Sequence, residues 1–432
     1  MWIYYEIASF KKMKRTNVVK KNAGRKFVIF YFILITGCSG NVPPKVESNN
    51  DSIIDLSVIF NDKNIRSVRL SEIADSISFL PFETSTKSLM GEFRTGLTFT
   101  HSFIFYNYHV YDWNGKYITS TVKSGQGPLE EPQPLGARMA YNDNHFYSKA
   151  SKFIEYDITG KPTGKRRHFS DPYAIGSMGF SAVGENFVIY NVSNMAILFF
   201  NKNFETISSR QIIQLDSTHS YAYSCEKTVT SYKDTAILYN VINDTIFQIT
   251  DTILEPRWIV SFNHPLRYPP VLDAQTHRMG ELAFQTAIRG GSNMDNSEFV
   301  ILTDRKHRVI DAYETESYVF FPMTEAIPFA ALRGIEPPKP YIVFYKKDTG
   351  LVTRVKGDGF IDDMLGLYKD SFYPELGFYN EKMIKSIWPY KIFEHIEECN
   401  ERGVAVNPQL LALSKKIKPD DNPVLILVHL KQ

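Results

Sequence analysis

Val110-Tyr-Asp112-Trp-Asn114-Gly115-Lys-Tyr117, Ile154-Glu-Tyr-Asp157-Ile-Thr-Gly160-Lys161 and Leu198-Phe-Phe-Asn201-Lys-Asn-Phe-Glu205 are three copies of one phrase. Each is an apolar alternating run that reaches an acidic or amide residue, turns, and leaves as a more polar strand. Asn114-Gly115 is a strong hairpin signal, and Gly160 supplies the positive φ that such turns need. A late copy reads Ile342-Val-Phe-Tyr-Lys-Lys-Asp348-Thr-Gly350-Leu351, and another lies around Asp244-Thr-Ile-Phe-Gln-Ile-Thr-Asp251. The spacing matters more than any single turn: Asp112 to Asp157 is 45 residues and Asp157 to Asn201 is 44. That period in short strands marks a β-propeller, one four-stranded blade per repeat.

Working outward, residues 54–432 divide into six blades of about 60 residues, with five and seven also compatible with the spacing. Phe299-Val-Ile-Leu to Ile310 and Tyr318-Val-Phe-Phe321 lead into the Asp348 turn. The chain ends in Asn422-Pro423-Val-Leu-Ile-Leu-Val-His-Leu430, a dense apolar strand that would invite aggregation unless paired. A propeller provides the partner, because its last blade is commonly completed from both chain ends. Residues 54–60 or 66–82 are the candidates for the N-terminal share. Two insertions interrupt the strands. Residues 269–297 read as a short helix and loop. Residues 380–418 read as helical in two pieces: Met383, Ile384, Ile387 and Trp388 form one apolar face, which Pro389 interrupts and Ile392 and Ile396 resume. Leu410, Leu411 and Leu413 form a second stretch. The expected fold is all-β, a six-bladed propeller with short helical insertions near the C-terminus.

The N-terminus has a different logic. Lys20, Lys21, Arg25 and Lys26 precede the apolar run Phe27–Ile35, which ends in Thr36-Gly37-Cys38. A basic flank, a short apolar core and a small residue at the cut make a secretory signal, and the core is short for a membrane span. Ile35-Thr36-Gly37-Cys38 resembles the lipobox of bacterial lipoproteins, which implies acylation of Cys38 and cleavage before it. Met13-Lys14-Arg15 makes a better signal start than Met1. Residues 1–37 are therefore read as signal, 38–53 as a polar tether with two prolines, and 54–432 as the propeller.

The whole chain carries +2, but residues 1–37 hold eight Lys/Arg and one Glu, so the remainder carries −5. The basic balance belongs to the signal, which argues against a nucleic-acid surface. Aromatics at 14% favour strands. Beyond Cys38 only Cys225 and Cys399 remain, either as one disulfide or as two buried thiols.

Leu70-Ser-Glu-Ile-Ala-Asp-Ser-Ile-Ser-Phe-Leu-Pro-Phe-Glu-Thr84, Gly125-Gln-Gly-Pro-Leu-Glu130 and Asp421-Asn-Pro-Val-Leu425, taken with the lipobox, resemble a family of Gram-negative lipoproteins described as six-bladed β-propellers of unknown function. The likeness covers nearly all of the chain beyond the signal. Glu131-Pro132 departs from it where an aromatic is expected. The resemblance implies a fold of the TolB/NHL-like kind and an envelope location. It carries over no catalytic residues.

Local chemistry is sparse. Gly125-Gln-Gly-Pro128 lacks the Gly-Lys-Ser/Thr ending of a phosphate cradle, and Pro128 removes an amide donor; it reads as an inter-blade turn. His395 and Cys399 lie one helical turn apart without a second pair, which suits a half-buried helix face better than a metal site. Asp358, Asp362 and Asp363 have oxygen ligands for calcium, yet read more simply as an acidic loop. No Gly-x-Ser-x-Gly elbow or His-Glu-x-x-His motif occurs. Tyr221, Tyr223, Trp258, Tyr268, Trp388 and Tyr390 are the aromatics to test for stacking on sugars or peptides, against the commoner packing between blades. No catalytic residue, metal ligand or cofactor is assigned. Cys38 is the one modification site, and the membrane is its partner.

These readings converge on a lipoprotein of the cell envelope, anchored at the outer membrane because Ser39 gives no acidic retention signal. Its propeller is expected to be a binding or scaffold module for a glycan, a peptide or an envelope protein. The alternative is a metal-dependent propeller enzyme of lactonase or lyase type, and a third reading is a structural subunit of a transport assembly.

Overall fold

A strand that is apolar at nearly every position must be covered on both faces. The computed structural model describes residues 53–91, 97–121, 123–125, 127–131, 138–149, 152–168, 179–191, 196–212, 229–232, 235–240, 244–262, 307–325, 339–367 and 371–432, all within the unit Ser48–Gln432. Such strands form six sheets of four or more strands there. Blade 1 comprises Leu97–Phe99, Phe103–Tyr106, His109–Asp112 and Tyr117–Ser120. Blade 2 comprises Arg138–Asn142, His145–Lys149, Lys152–Asp157 and Pro162–His168, and blade 3 Gly179–Val183, Asn186–Asn191, Ala196–Phe200 and Thr206–Gln211. Blade 4 comprises Thr230–Tyr232, Thr235–Asn240, Thr245–Thr250 and Ile253–Ser261. In blade 5, His307–Val309 and Tyr313–Glu314 both pair with Tyr318–Glu325, followed by Tyr341–Lys346 and Leu351–Val355. Blade 6 takes Phe378–Tyr379, Lys382–Ile387 and Val424–Leu430, and its outer strand is Ala74–Pro81.

Successive side chains of a strand point to opposite faces, so each blade feeds two seams. Ile104 and Tyr106 pack toward blade 6, whereas Phe105 between them packs toward blade 2. Val319, Phe321 and Met323 face blade 4, while Tyr318 and Phe320 face blade 6. Leu425 and Leu427 face blade 1, and Val424, Ile426 and Val428 face blade 5. Six apolar clusters result, one for every pair of neighbouring blades including blade 6 with blade 1. Six sheets joined by six seams close a ring. The fold is a six-bladed β-propeller.

Closure uses both ends of the described chain. Val424–Leu430 runs antiparallel to Ala74–Pro81, from Val424↔Pro81 to Leu430↔Ala74, and to Lys382–Ile387 on its other side. The apolar C-terminal run is thus an inner, fully paired strand. Its partner comes from the 66–82 stretch, and residues 54–60 do something else. Ile53–Asp55 adds parallel to the outer edge of blade 4, and Ile65–Arg66 parallel to the outer edge of blade 5. The 3-10 turn Leu56–Phe60 lies between them, capped by the Asp55 carboxylate on the Ser57 N–H (2.9 Å). Ile54, Leu56 and Ile59 are fully buried in the seam between blades 4 and 5. After Arg69 bridges to Ile361, helix α1 (Leu70–Ile73) leads into the outer strand of blade 6. Residues 53–81 are a belt around the outer edges of three blades.

The repeated turn phrase joins the third and fourth strands of a blade. Asp112 Oδ1 accepts the N–H groups of Asn114 (2.8 Å) and Lys116 (2.9 Å). Asp157 does the same for Thr159 and Lys161 (2.9 and 3.0 Å), and Asn201 for Asn203 and Glu205 (2.9 and 3.0 Å). A short side-chain oxygen two residues from the amide it captures explains the Asp/Asn preference. The fourth residue of each turn has positive φ: Gly115 (79°), Gly160 (79°) and Phe204 (60°). It also abuts the preceding blade. A Cβ on Gly115 would stand 2.0 Å from the Pro81 carbonyl oxygen, and one on Gly160 2.4 Å from Thr119 Oγ1. In blade 3 the seat holds Phe204, fully buried and stacked on Phe153 of blade 2 at 4.8 Å. Inter-blade hydrogen bonds cap these turns: Glu83 N–H to Gly115 O (2.8 Å), Thr119 Oγ1 to Thr159 O (2.7 Å), and the Arg167 guanidinium to Phe204 O.

The C-terminal insertion differs from its expected form. Met383, Ile384 and Ile387 belong to the strand Lys382–Ile387, not to a helix. Met383 and Ile387 face blade 5 while Ile384 faces blade 1, so what reads as one helical face is the two faces of a doubly buried strand. Pro389 does not interrupt a helix but opens α2 (Pro389–Glu401), where its missing N–H costs nothing. Helix α3 (Pro408–Ser414) follows, capped by the Asn407 side chain on the Gln409 N–H (2.8 Å). Ile392, Leu410 and Leu413 join the core between blades 5 and 6. Residues 269–297 and 299–306 lie outside the described residues.

Asn422 pins the clasp. It is 2% exposed, and its Nδ2 donates to Glu83 O and Ser88 O (both 2.7 Å) while its Oδ1 accepts the Met90 N–H (2.9 Å). Asn422→Ala leaves the buried Met90 N–H unpaired and takes one of two donors from Glu83 O and Ser88 O, which keep the Ser88 and Tyr111 hydroxyls, so a loss of about 2 kcal/mol is expected from the urea midpoint. Asn422→Asp will not rescue it, because a carboxylate would face two carbonyls. A loss below about 0.5 kcal/mol would show that the pin is dispensable. Gly160→Ala and Gly350→Ala separate close approach from backbone strain. Both sites have positive φ, but nothing lies within 4 Å of a Cβ at Gly350. Gly350→Ala is expected to cost about 1 kcal/mol and Gly160→Ala at least about twice that.

Candidate functional site

Beside the clasp, a cleft of about 390 Å³ opens between the end of the belt, the Asp112 turn and the segment after α3. Phe82, Glu83, Asn114, Lys116, Lys416 and Asp421 are among its walls. Phe82 is anchored on Tyr111 (ring centroids 4.6 Å apart), which fixes the floor. The Glu83 carboxylate accepts the Tyr117 N–H (3.1 Å) and that of Asp421 the Lys418 N–H (2.7 Å). Both acids are thereby oriented by backbone, while Lys116 and Lys416 are exposed. Two cations and two carboxylates around an open polar cleft suit recognition of a polar ligand. Its walls hold no hydrogen-bonded pair of nucleophile and base.

A second polar cluster spans blades 4 and 5. Glu314, with a fully buried side chain, takes a two-pronged ion pair from Arg257 (2.5 and 2.8 Å), one from Lys347 (2.6 Å) and the Trp258 indole N–H (3.3 Å). Arg257 also donates to Gln248 Oε1 (2.6 Å). A carboxylate so fully engaged is a lock between blades rather than a proton acceptor for chemistry.

The sequence candidates separate in space. The Gly125–Pro128 turn lies on the connection from blade 1 to blade 2, and the Gly127 N–H donates to Glu130 Oε2 (2.9 Å). The chain's own carboxylate takes the amide a phosphate would need. His395 Nε2 and Cys399 Sγ are 3.5 Å apart on α2, and Cys399 is a buried free thiol. Among the described residues no three His, Cys, Asp or Glu side chains are grouped to hold a metal ion. Asp358 pairs with Lys339 (2.9 Å), Asp362 accepts the N–H groups of Leu365 and Leu367 (2.8 and 2.9 Å), and Asp363 accepts the Ser71 N–H (3.0 Å) and hydroxyl (2.5 Å). These carboxylates serve three separate tasks. Trp258 is tied to Glu314, Trp388 precedes α2, and Tyr390 is exposed with Lys391 over its ring (5.0 Å). Cys38, Tyr221, Tyr223, Cys225 and Tyr268 lie outside the described residues.

Sequence reading missed Asn422 and Glu314 as anchors. Asn422 had a signal, since an amide held between Asp421 and Pro423 ahead of an apolar strand is well placed to cap a loop. Glu314 had none, because its partners Arg257 and Lys347 lie 57 and 33 residues away.

Two histidines tie third to fourth strands: His109 Nδ1 to Ser120 Oγ (2.8 Å), and His429 Nε2 to Ser78 Oγ (2.7 Å). Burial pushes both imidazoles below their ordinary range, and Lys382 adds to this at His429. A histidine depressed in the folded state supports stability above its unfolded pKa of about 6.5, and that support is lost as pH falls through the folded value. The melting temperature is expected to drop between pH 7 and pH 5. The His109→Gln/His429→Gln double variant should show a shallower drop; an equal slope would assign the acid lability to other groups.

Residues 51–429 match one family model, described as a domain of unknown function, DUF4934. No curated protein matches the chain. Among solved structures, a Bacteroides fragilis protein described as exported is 13% identical, with 88% of this chain and 100% of that one covered and a TM-score of 0.53. A DUF4221 family member from Bacteroides vulgatus is 11% identical over 83% and 97% of the two chains, with a TM-score of 0.43. Virginiamycin B lyase from Staphylococcus aureus is 9% identical over 65% and 74%, with a TM-score of 0.31, too remote to bear on activity. The first of these shares the fold, and the family match spans the whole ring. The chain belongs to the DUF4934 family of unknown function, built here as a six-bladed β-propeller.

Proposed function

We propose that this protein is a lipoprotein of the cell envelope, held at the outer membrane by lipid on Cys38, whose propeller is a binding or scaffold module. The observation that carries the reading is Lys20, Lys21, Arg25 and Lys26, then the apolar run ending at Gly37-Cys38, then a short polar stretch leading into the ring. Acylation at more than one position makes such anchoring stable. No helix among the described residues is long and apolar enough to cross a membrane. The protein described as exported that shares the fold is consistent with this location.

The ligand class is a glycan, a peptide or another envelope protein. Support comes from the kind of site available: an open, polar, doubly charged cleft at the rim, and carboxylates elsewhere that are committed to structural bonds. Such a surface recognises by hydrogen bonds and charge on a rigid frame.

The test is growth with labelled palmitate followed by affinity capture from gently solubilised membranes. Label on the wild type, its loss in Cys38→Ala, and a near-stoichiometric envelope partner lost with it are the expected results. Membrane association unchanged by Cys38→Ala would overturn the lipid anchor. Within the cleft, Lys116→Glu/Lys416→Glu is expected to weaken capture about tenfold or more without lowering the melting temperature, and unchanged capture would move the site elsewhere.

A further inference from the structure

We infer that the belt side of the ring, at blades 4 and 5, is the surface laid against an anionic phospholipid membrane. The inference rests on the lipid-anchor reading. Ile53, the first paired residue, sits on the outer edge of blade 4, and 15 residues separate it from Cys38. A polar linker of that length has a root-mean-square span of about 20–25 Å. Blade 1 lies opposite blade 4 in the ring. Four strands at about 4.8 Å spacing on each side of a channel put its rim roughly 40–50 Å away. That exceeds the linker's usual reach by about a factor of two, so the anchor keeps the outer edge of blade 4 near the bilayer, and a ring standing on that edge holds blade 1 away from it.

The belt's own surface has interfacial chemistry. Phe60, at the end of the turn Leu56–Phe60, is 51% exposed, and that turn packs on the outer strand of blade 5. Leu351, which opens that strand, is 62% exposed. Lys63, three residues beyond Phe60 and next to the exposed Asp62, is exposed, as is Lys356, whose N–H donates to Arg66 O (2.9 Å) on the belt. An exposed aromatic and an exposed leucine, with exposed lysines on the same belt and following the same strand, suit the headgroup boundary. The apolar groups enter the acyl edge, and the ammonium groups meet phosphates.

The experiment is hydrogen–deuterium exchange on the full lipidated protein, bound to phosphatidylethanolamine/phosphatidylglycerol vesicles and, separately, in detergent. Vesicle binding should slow exchange across residues 56–66 and leave residues 116–120 of blade 1 unchanged. Phe60→Ser/Leu351→Ser should weaken vesicle partitioning about tenfold while the melting temperature holds. Protection centred on residues 116–120, or unchanged exchange at 56–66, would overturn the facing while sparing the anchor. Wild-type protein that does not associate with vesicles at all would overturn the anchor reading and this inference together.

Discussion

Pairing between Ala74–Pro81 and Val424–Leu430 is the constraint on which the ring depends. Five of the six seams join blades that follow each other along the chain, and the sixth joins the last blade to the first. Val424, Leu425, Ile426 and Val428 are fully buried by this arrangement. At about 1.5–3 kcal/mol for each fully buried apolar side chain, these four rival the usual net stability of about 5–15 kcal/mol. Without the clasp the same residues would form an apolar open edge. A ring left open there would present that edge for unwanted strand pairing.

The belt makes the clasp part of a longer device. Before reaching blade 6 it adds short parallel strands to blades 4 and 5, so the outer edges there are partly covered by the same segment that closes the ring. Covering edges also limits unwanted strand pairing. Blades 1 to 3 are spaced differently, by turns whose fourth residue touches the preceding blade. Two of these contacts are so close that only glycine fits, and in the third a buried phenylalanine fills the gap. One turn geometry thus serves tight and wide seams, with side-chain volume setting the distance.

The motifs behind the family likeness turn out to be architectural. Leu70–Thr84 contains the outer strand of blade 6, Asp421–Leu425 contains the Asn422 pin and the start of its partner strand, and Gly125–Glu130 folds a connection back on its own carboxylate. Residues that carry the likeness build the frame.

Much of the fold was legible because propeller strands obey a short-range rule. The Asp112, Asp157 and Asn201 turns announce themselves by residue type and spacing, since each oxygen captures amides two and four residues away. Met383–Trp388 misled for a related reason: a doubly buried strand and a helical face can share one apolar pattern when neither side is wet. The rim cleft and the Glu314 lock were not legible, because they join residues from different blades with no local signature. By itself, then, the sequence determined the repeat and the strand class, both set by chemistry within a few residues. The tertiary structure alone decided which stretch closes the ring, where the belt runs and which charges meet, because those depend on the seam geometry that brings distant segments within hydrogen-bond reach.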